Sequence, residues 1–350
     1  MLDEIFILVL FLAFAFTSRW AFRTLPDEQW QIICCVPYRK LPNGIWQSWN
    51  LTWYGFFNAI AILLAVSVLT TLMGALSISL VPIALILFFL LLICLPAAKI
   101  LAFLIEKKKN TSTVGGASFV GILISPWIIL LAKLVGDKWF DFNLSPLIVL
   151  SALSIAYAFG EGIGRLACIS FGCCYGKALK ECSPHFQKIF RRHHFIFTGK
   201  TKKIAYAHSL DGQQVVPVQA MTTLIYSVTG LIGCYLFLKG FTTIAFVLTL
   251  SLTQIWRFLS EFLRADYRGK GKISIYQIMA LISCLYGLVI AYIFHETQLN
   301  KPDLILGLSA MWHPALLLFL MVLWIAIFFY TGKSKVTAAL IDINVNEEKI

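Results

Sequence analysis

Long apolar runs separated by short polar stretches constrain the fold of this chain more than any other feature. A helix needs about 20 residues to cross the hydrocarbon layer of a bilayer, at a rise of 1.5 Å per residue. Nine runs reach or approach that length, and they are continuous rather than alternating, which excludes a transmembrane β-barrel. They cover residues 4–22, 51–73, 78–105, 115–135, 144–164, 217–238, 241–262, 273–294 and 303–330.

The composition agrees with this pattern. Hydrophobic residues make up 59% of the 350 residues and charged residues only 13%, about half the share in a soluble domain. A soluble enzyme, a disordered chain and a collagen-like chain are therefore excluded. We predict an all-α, polytopic helical membrane protein with about nine transmembrane helices. The polar stretch at about 176–216 is predicted to form a small lobe outside the membrane.

The formal net charge is +12, from 29 basic and 17 acidic residues. Most basic residues fall in the loops 23–50, 106–114, 176–216 and 263–272 and in the tail, on one side of the predicted topology. The positive-inside rule places that side in the cytoplasm. No nucleic-acid-binding motif is present, so we expect the membrane and anionic phospholipid as partners, and no nucleic acid.

Charged residues inside apolar runs are costly and indicate function. Glu161 and Arg165 lie four residues apart, so on a helix they share a face and can pair. Gly164, Gly172 and Gly176 allow the backbone to approach a ligand closely. A salt-bridged packing motif is the alternative reading of this segment.

A second charged cluster contains Arg257, Glu261 and Arg264, whose offsets of 4 and 7 place them on one helical face. We expect Glu261 to orient Arg257, while Arg264 could instead extend to the interface. Guanidinium groups bind phosphate bidentately. Together, Arg165 and Arg257 therefore predict a membrane-embedded site for a phosphate-bearing lipid.

The chain lacks a Walker loop, a paired-carboxylate magnesium motif and a His/carboxylate metal set. We therefore expect a metal-free reaction without a cofactor, in which arginines stabilise the phosphate leaving group.

The order of these motifs resembles the prolipoprotein diacylglyceryl transferase family. The similar segments are Trp53-Tyr54-Gly55, the Gly115–Gly121 stretch with Ser118 (family GGxSFHG), Gly164-Arg165 to Gly176 (GRxxNxxNGxxxG), Pro217-Val218-Gln219 (HPSQ), Arg257 to Arg264 (RxxxExxR) and Ile273 to Gln277 (ISxGQ). The family moves diacylglycerol from phosphatidylglycerol to a cysteine thiol of a lipoprotein precursor and releases glycerol phosphate.

The resemblance implies phosphate and head-group contacts from Arg165 and Arg257, supported by Glu261 and Arg264. Further substrate contacts are expected from the matched segments, at Gly164, Gly172, Gly176, Tyr175, Ser118, Gln219, Cys168, Cys173 and Cys174. It also implies a bacterial cytoplasmic (inner) membrane location.

The family core has seven spans, so the resemblance also implies the domain organisation. We expect an extra N-terminal helix and loop in 1–43, a transferase-like core in 44–295 with the lobe at 176–216, an extra C-terminal helix in 296–332 and a polar tail in 333–350.

The chain departs from the family at four positions. Val120 stands in place of a functionally important His, Cys168 in place of an Asn, Val216 in place of a His and Thr253 in place of a Tyr. Because Val120 cannot accept a proton, Glu161 is the expected general base. Tyr175 and the histidines of the lobe are weaker candidates.

The chain has nine cysteines and no CxxC motif. Cys173 and Cys174 beside Arg165 could form a stabilised thiolate that carries an acyl or glyceryl group, or could simply fill the core. A metal site with Cys168 and Cys182 is a weaker possibility, because the spacing fits no standard pattern.

The favoured function is phosphatidylglycerol-dependent transfer of diacylglycerol to a prolipoprotein cysteine. The alternatives are an enzyme of the same fold with a different acceptor or donor, and a lipid-binding protein or transporter without turnover. The family's lobe faces the periplasm whereas the charge rule places this lobe in the cytoplasm, so the sequence leaves the orientation open.

Overall fold

The computed structural model describes residues 1–107, 113–139, 144–266, 273–294, 301–334 and 336–350. Within those ranges, nine helices are long and apolar enough to cross a membrane, which confirms the predicted polytopic all-α fold. The helices are α1 (Leu2–Thr24), α2 (Trp53–Gly74), α3 (Leu80–Glu106), α4 (Val114–Trp139), α5 (Pro146–Phe171), α6 (Pro184–Phe190), α7 (Lys203–His208), α8 (Val218–Leu238), α9 (Thr242–Ser260), α10 (Ile275–Ile293), α11 (Leu304–Met311) and α12 (Pro314–Gly332).

The last apolar run is not the single span predicted for 303–330. It is divided into the short α11 and the spanning helix α12. The break falls before Pro314, which occupies the first turn of α12. Proline has no N–H to donate to the preceding turn and its ring displaces that turn, so the helix cannot continue through it.

A sheet forms between two segments that the sequence predicts to be a loop and a tail. Strands β1 (Ile32–Lys40), β2 (Trp46–Thr52) and β5 (Ala339–Ile341) form an antiparallel sheet in the order β1-β2-β5. Since β5 lies almost 300 positions after β2 in sequence, no local pattern could reveal the pairing.

The expected lobe between α5 and α8 is present. It contains α6, α7 and a two-stranded antiparallel sheet of β3 (Phe195–Ile196) and β4 (Gln214–Val215).

Lys202 attaches this lobe to the helix bundle. Its fully buried Nζ donates hydrogen bonds to the carbonyl of Leu25 (3.0 Å) after α1 and to that of Ser170 (2.7 Å) in α5. Burial lowers the pKa of Lys202 to about 8, although Asp27 and Glu28 act in the opposite direction.

The helix α5 is the most deeply buried span, and it packs against α2, α8 and α9. Polar side chains fix the register of these helices. Ser154 in α5 hydrogen bonds with Thr249 in α9 (2.6 Å), and the Trp256 indole of α9 donates to Thr222 of α8 (2.9 Å). Hydrogen bonds of this kind inside a membrane contribute about 0.6 kcal/mol each.

The chain reverses direction at each span, so the carboxyl ends of α5 and α9 and the amino ends of α8 and α10 lie on the side of the lobe. Segments 108–112 and 267–272, which contribute to the charge comparison, lie outside the described residues, as do Lys335 and the side chain of Lys138.

Candidate active site

A cluster of charged side chains lies in the half of α5 that is nearer the lobe. The predicted ion pair between Glu161 and Arg165 is present, with Glu161 Oε1 accepting a hydrogen bond from Arg165 Nη2. The same Oε1 lies 3.6 Å from Nη2 of Arg257, which comes from α9. Arg257 Nη2 also donates to the hydroxyl of Tyr157 (2.5 Å). One carboxylate is thus shared by two guanidinium groups from two helices.

The expected pairing of Glu261 with Arg257 is wrong. The α-helix α9 ends at Ser260, and Glu261–Leu263 forms a 3₁₀ turn. Arg257 pairs with Glu161 and Tyr157, so the Glu261 carboxylate at this helix end is left to other partners. Arg264 then adopts an extended backbone.

Glu261 instead forms an ion pair with Arg264. Its Oε1 lies 3.8 Å from Arg264 Nη1, and its Oε2 accepts a hydrogen bond from the Ser274 hydroxyl (3.2 Å). Asp266 binds Arg264 bidentately, through Nε (2.7 Å) and Nη2 (2.8 Å). Arg264 is therefore oriented by two carboxylates and is not a free cation extending to the interface.

The loop that follows α5 is held by backbone atoms. Gly172 ends the helix with a φ of +66°, a left-handed conformation that favours glycine. The Lys177 N–H then donates to the Leu263 carbonyl (2.9 Å), and the Ala265 N–H donates to the Tyr175 carbonyl (3.1 Å). Gly176 has no room for a side chain, because a Cβ there would lie 2.3 Å from the Val216 carbonyl oxygen.

Three cysteines meet where this loop leaves α5. The sulfur atoms of Cys168, Cys173 and Cys174 all lie within 4.8 Å of one another, and those of Cys168 and Cys174 are 3.9 Å apart. Hydrogen bonds from the Cys168 and Cys173 thiols lower the pKa of Cys174, and the charges of Arg264 and Arg165 act in the same direction. The structure does not bring Cys182 into this group, since its thiol contacts the Ala178 carbonyl in the lobe.

A small polar pocket is lined by residues of the charged cluster and by one of the three cysteines. It is lined by Arg165, Cys174, Val218, Gln219, Thr222, Tyr226, Trp256, Arg257, Ser260, Glu261 and Arg264. Among the described residues, Nε of Arg165, Nε of Arg257 and Oε1 of Gln219 are buried without a hydrogen-bond partner. An unsatisfied buried polar atom costs about 1–3 kcal/mol, so a pocket lined by three residues that carry such atoms is suited to a polar occupant.

The family model for prolipoprotein diacylglyceryl transferase matches residues 44–293. The chain belongs to this family. Members of the prolipoprotein diacylglyceryl transferase family are transferases that act on lipid and prolipoprotein substrates in the membrane. None of the curated proteins and none of the solved structures compared with the chain matches it.

Of the residues expected from the family motifs, the structure brings six into the pocket itself: Arg165, Arg257, Glu261, Arg264, Gln219 and Cys174. The sulfur atoms of Cys168 and Cys173 lie within 4.8 Å of that of Cys174, but these two residues do not line the pocket. The Gln219 amide nitrogen donates to the Cys173 carbonyl (2.8 Å), so this side chain connects α8 to the cysteine loop.

Other expected residues lie outside the pocket. The Ser118 hydroxyl bonds to the Gly115 carbonyl in its own helix, and Gly164 faces Ala61 of α2. The Tyr175 hydroxyl bonds to His208 Nδ1 on the lobe, and burial raises the pKa of Tyr175. Gly172 and Gly176 shape the loop rather than line the pocket.

Two groups that orient the arginines of this transferase family member, Tyr157 and Asp266, were not predicted from the sequence. Tyr157 lies four residues before Glu161, so the spacing that paired Glu161 with Arg165 could have identified it. Asp266 follows the end of α9, where helical periodicity carries no information.

Proposed function

We propose that the chain transfers a diacylglyceryl group from phosphatidylglycerol to a cysteine thiol of a prolipoprotein and releases glycerol phosphate. One observation carries the donor assignment. Arg165 and Arg257 are both about nine-tenths buried, share the single carboxylate of Glu161, and each keep an unpartnered Nε. Two guanidinium groups against one carboxylate leave a net positive charge, which the single negative charge of a phosphodiester would balance.

The pocket also has the polarity that this reaction requires. The acceptor thiolate attacks the glyceryl carbon that carries the phosphate, a C–S bond forms, and the C–O bond to phosphate breaks. The electron pair leaves with glycerol phosphate, which gains negative charge as the bond breaks. Arg165 and Arg257 would stabilise that charge with guanidinium groups that Glu161 and Tyr157 already orient.

The reaction also needs a base that deprotonates the acceptor thiol. Glu161 is the candidate from the sequence, and it reaches the pocket through the two arginines that it contacts. Its carboxylate is engaged by both guanidinium groups, so a role in orienting them accompanies any role as a base. Val120, at the position of the family His, offers no proton acceptor.

We further propose that residues 44–295 form the catalytic core, with additional segments at 1–43 and 296–332 and a tail at 333–350. The family match over 44–293 supports these limits. A bacterial inner membrane is the proposed location. The alternative is an enzyme of the same fold with another acceptor or donor. Two features favour this alternative: Val120 stands in place of the family His, and the basic loops lie on the same side as the lobe.

The test is release of glycerol phosphate from labelled phosphatidylglycerol by the purified protein, with and without a peptide that carries a lipobox cysteine. We expect peptide-dependent release that Arg257→Ala abolishes and Arg191→Ala, on the exposed surface of the lobe, leaves unchanged. If no glycerol phosphate is released with or without the peptide, the proposed transfer is refuted. Release that does not depend on the peptide would support the alternative acceptor.

A further inference from the structure

We propose that Cys168, Cys173 and Cys174 form a zinc site with an open coordination position that binds the acceptor cysteine as a thiolate. The zinc part rests on the geometry of this cluster alone. The acceptor part rests on the proposed function and supplies the thiol activation that Val120 cannot provide.

The sulfur positions fit a tetrahedral ion. With Zn–S bonds of about 2.3 Å, two sulfur ligands of a tetrahedral zinc lie ~3.8 Å apart. The sulfur atoms of Cys168 and Cys174 are 3.9 Å apart, and that of Cys173 lies within 4.8 Å of both. A disulfide would require an S–S distance of about 2 Å, so the three sulfurs are spaced as ligands rather than as a bonded pair.

The backbone is bent in a way that produces this spacing. Gly172 and Cys174 both have left-handed backbone conformations, with φ values of +66° and +56°. At a residue other than glycine this conformation costs about 1–2 kcal/mol. The bend directs Cys173 and Cys174 back towards Cys168 on the last turn of α5, so the strained residue is itself one of the three ligands.

Two guanidinium groups lie close enough to the three cysteines to lower the cost of burying a negative charge there. Zinc with three thiolates carries a net charge of −1, which is costly to bury without a partner. Arg165 and Arg264 both lie within electrostatic range of Cys174. Neither guanidinium occupies the cluster, because Arg165 binds Glu161 and Arg264 binds Asp266.

Three ligands leave one position open. Within the described part of the chain, the group contains no fourth histidine, cysteine or carboxylate. Structural zinc sites are closed by four protein ligands, whereas catalytic sites have three and leave a position for water or substrate. Cys174 lines the pocket that also contains Arg165 and Arg257, so the open position would face the proposed phosphate site.

The step is balanced with these groups. The acceptor thiol binds zinc and loses its proton to solvent, since only the thiolate is a good ligand and nucleophile. The zinc-bound sulfur then attacks the glyceryl carbon, and the C–O bond to phosphate breaks with its electron pair going to glycerol phosphate. The product is a neutral thioether, a weaker zinc ligand than a thiolate, so it dissociates. This route departs from the metal-free reaction expected from the sequence.

Zinc binding is tested first on the purified full-length protein, reduced and stripped with a chelator, then loaded with Zn²⁺ and desalted. We expect one zinc per chain, and at least a tenfold loss of affinity in each of Cys168→Ser, Cys173→Ser and Cys174→Ser. The matched control is Cys284→Ser in α10, whose thiol contacts only the Ser251 carbonyl among the bonds described. Thermal unfolding in detergent identifies variants that fail to fold, and Cd²⁺–thiolate absorption provides a second measurement of the same ligands.

Acceptor binding is tested with Co²⁺ in place of zinc. A lipobox cysteine peptide should shift the visible Co²⁺ bands, and the same peptide with serine in place of cysteine should not. If wild-type protein retains no more zinc than the triple serine variant, or if a Cys168–Cys174 disulfide forms even in the presence of zinc, the site is refuted. If the protein binds zinc but releases no glycerol phosphate, the zinc site stands and the proposed transferase activity is refuted. If metal-stripped protein releases glycerol phosphate at the full rate, zinc does not activate the acceptor thiol.

Discussion

Glu161 Oε1 accepts a hydrogen bond from Arg165 on its own helix and lies 3.6 Å from Arg257 Nη2 on α9. This carboxylate therefore connects two helices as well as two charges. Removing it would leave two buried guanidinium groups facing each other without compensation. The consequences for stability and activity can be separated by substitution.

Replacing Glu161 with glutamine should destabilise the fold. Breaking a buried ion pair by removing one partner costs about 3–5 kcal/mol, because the remaining charge stays buried. We expect Glu161→Gln to lower the unfolding midpoint in detergent, while Glu181→Gln on the exposed lobe surface does not. Equal midpoints for the two variants would show that Glu161 does not balance the arginines.

Replacing Arg257 with lysine should impair catalysis more than folding. Lysine keeps the positive charge but lacks the planar guanidinium. It therefore cannot donate to Tyr157 as Nη2 does and at the same time offer a second N–H, like that of Nε, to a ligand. We expect glycerol phosphate release to fall by about 100-fold, the loss typical of removing one donor to a developing anion. Arg191→Lys on the lobe is the matched control. A variant with wild-type activity would contradict the phosphate role of Arg257.

Gly115 provides the space for the Arg257 guanidinium. A Cβ at this position would lie 2.8 Å from Arg257 Nη1 and 3.0 Å from the Tyr276 ring. Gly115→Ala should therefore displace the guanidinium and lower activity by about tenfold, although alanine in a helix usually adds ~0.5–1 kcal/mol of stability. Gly121→Ala, in the same helix, would meet only the Cys94 sulfur at 3.3 Å and is the control. Equal activities for the two would show that the space beside Gly115 is not used.

The buried Lys202 should make stability depend on pH. Its pKa is about 8 in the folded protein against an ordinary value of 10.5, so the unfolded chain binds more protons between these values. Stability should therefore rise as the pH increases from about 8 to 10.5. The difference in unfolding midpoint between wild type and Lys202→Met should follow this trend, whereas Lys200→Met on the surface should track wild type. A pH-independent difference would contradict the lowered pKa.

The membrane spans could be predicted from sequence because each depends on a local run of apolar residues. The Glu161–Arg165 pair could be predicted for the same reason, since both residues lie on one helix. The contact of Arg257 with Glu161 joins α9 to α5, and spacing within one helix contains no information about it. The pairing of β2 with β5 and the meeting of the three cysteines depend on the folded path of the chain in the same way.

Glu261 shows a different limit. Its offset of four from Arg257 predicts a contact, but α9 ends at this point and the Glu261 carboxylate pairs with Arg264 and Ser274 beyond the helix. Sequence patterns assume regular geometry, and helix ends are where that assumption fails most often.

The loop after α5 is fixed by peptide groups: Lys177 donates to Leu263, Ala265 to Tyr175, and Val216 to Lys177. None of these bonds depends on the identity of the side chains at Cys173 or Cys174. The shape of the loop can therefore survive while the groups that it presents to the pocket are exchanged during evolution. In a membrane enzyme with such a loop, point substitutions can change the chemistry of the site without a change of fold.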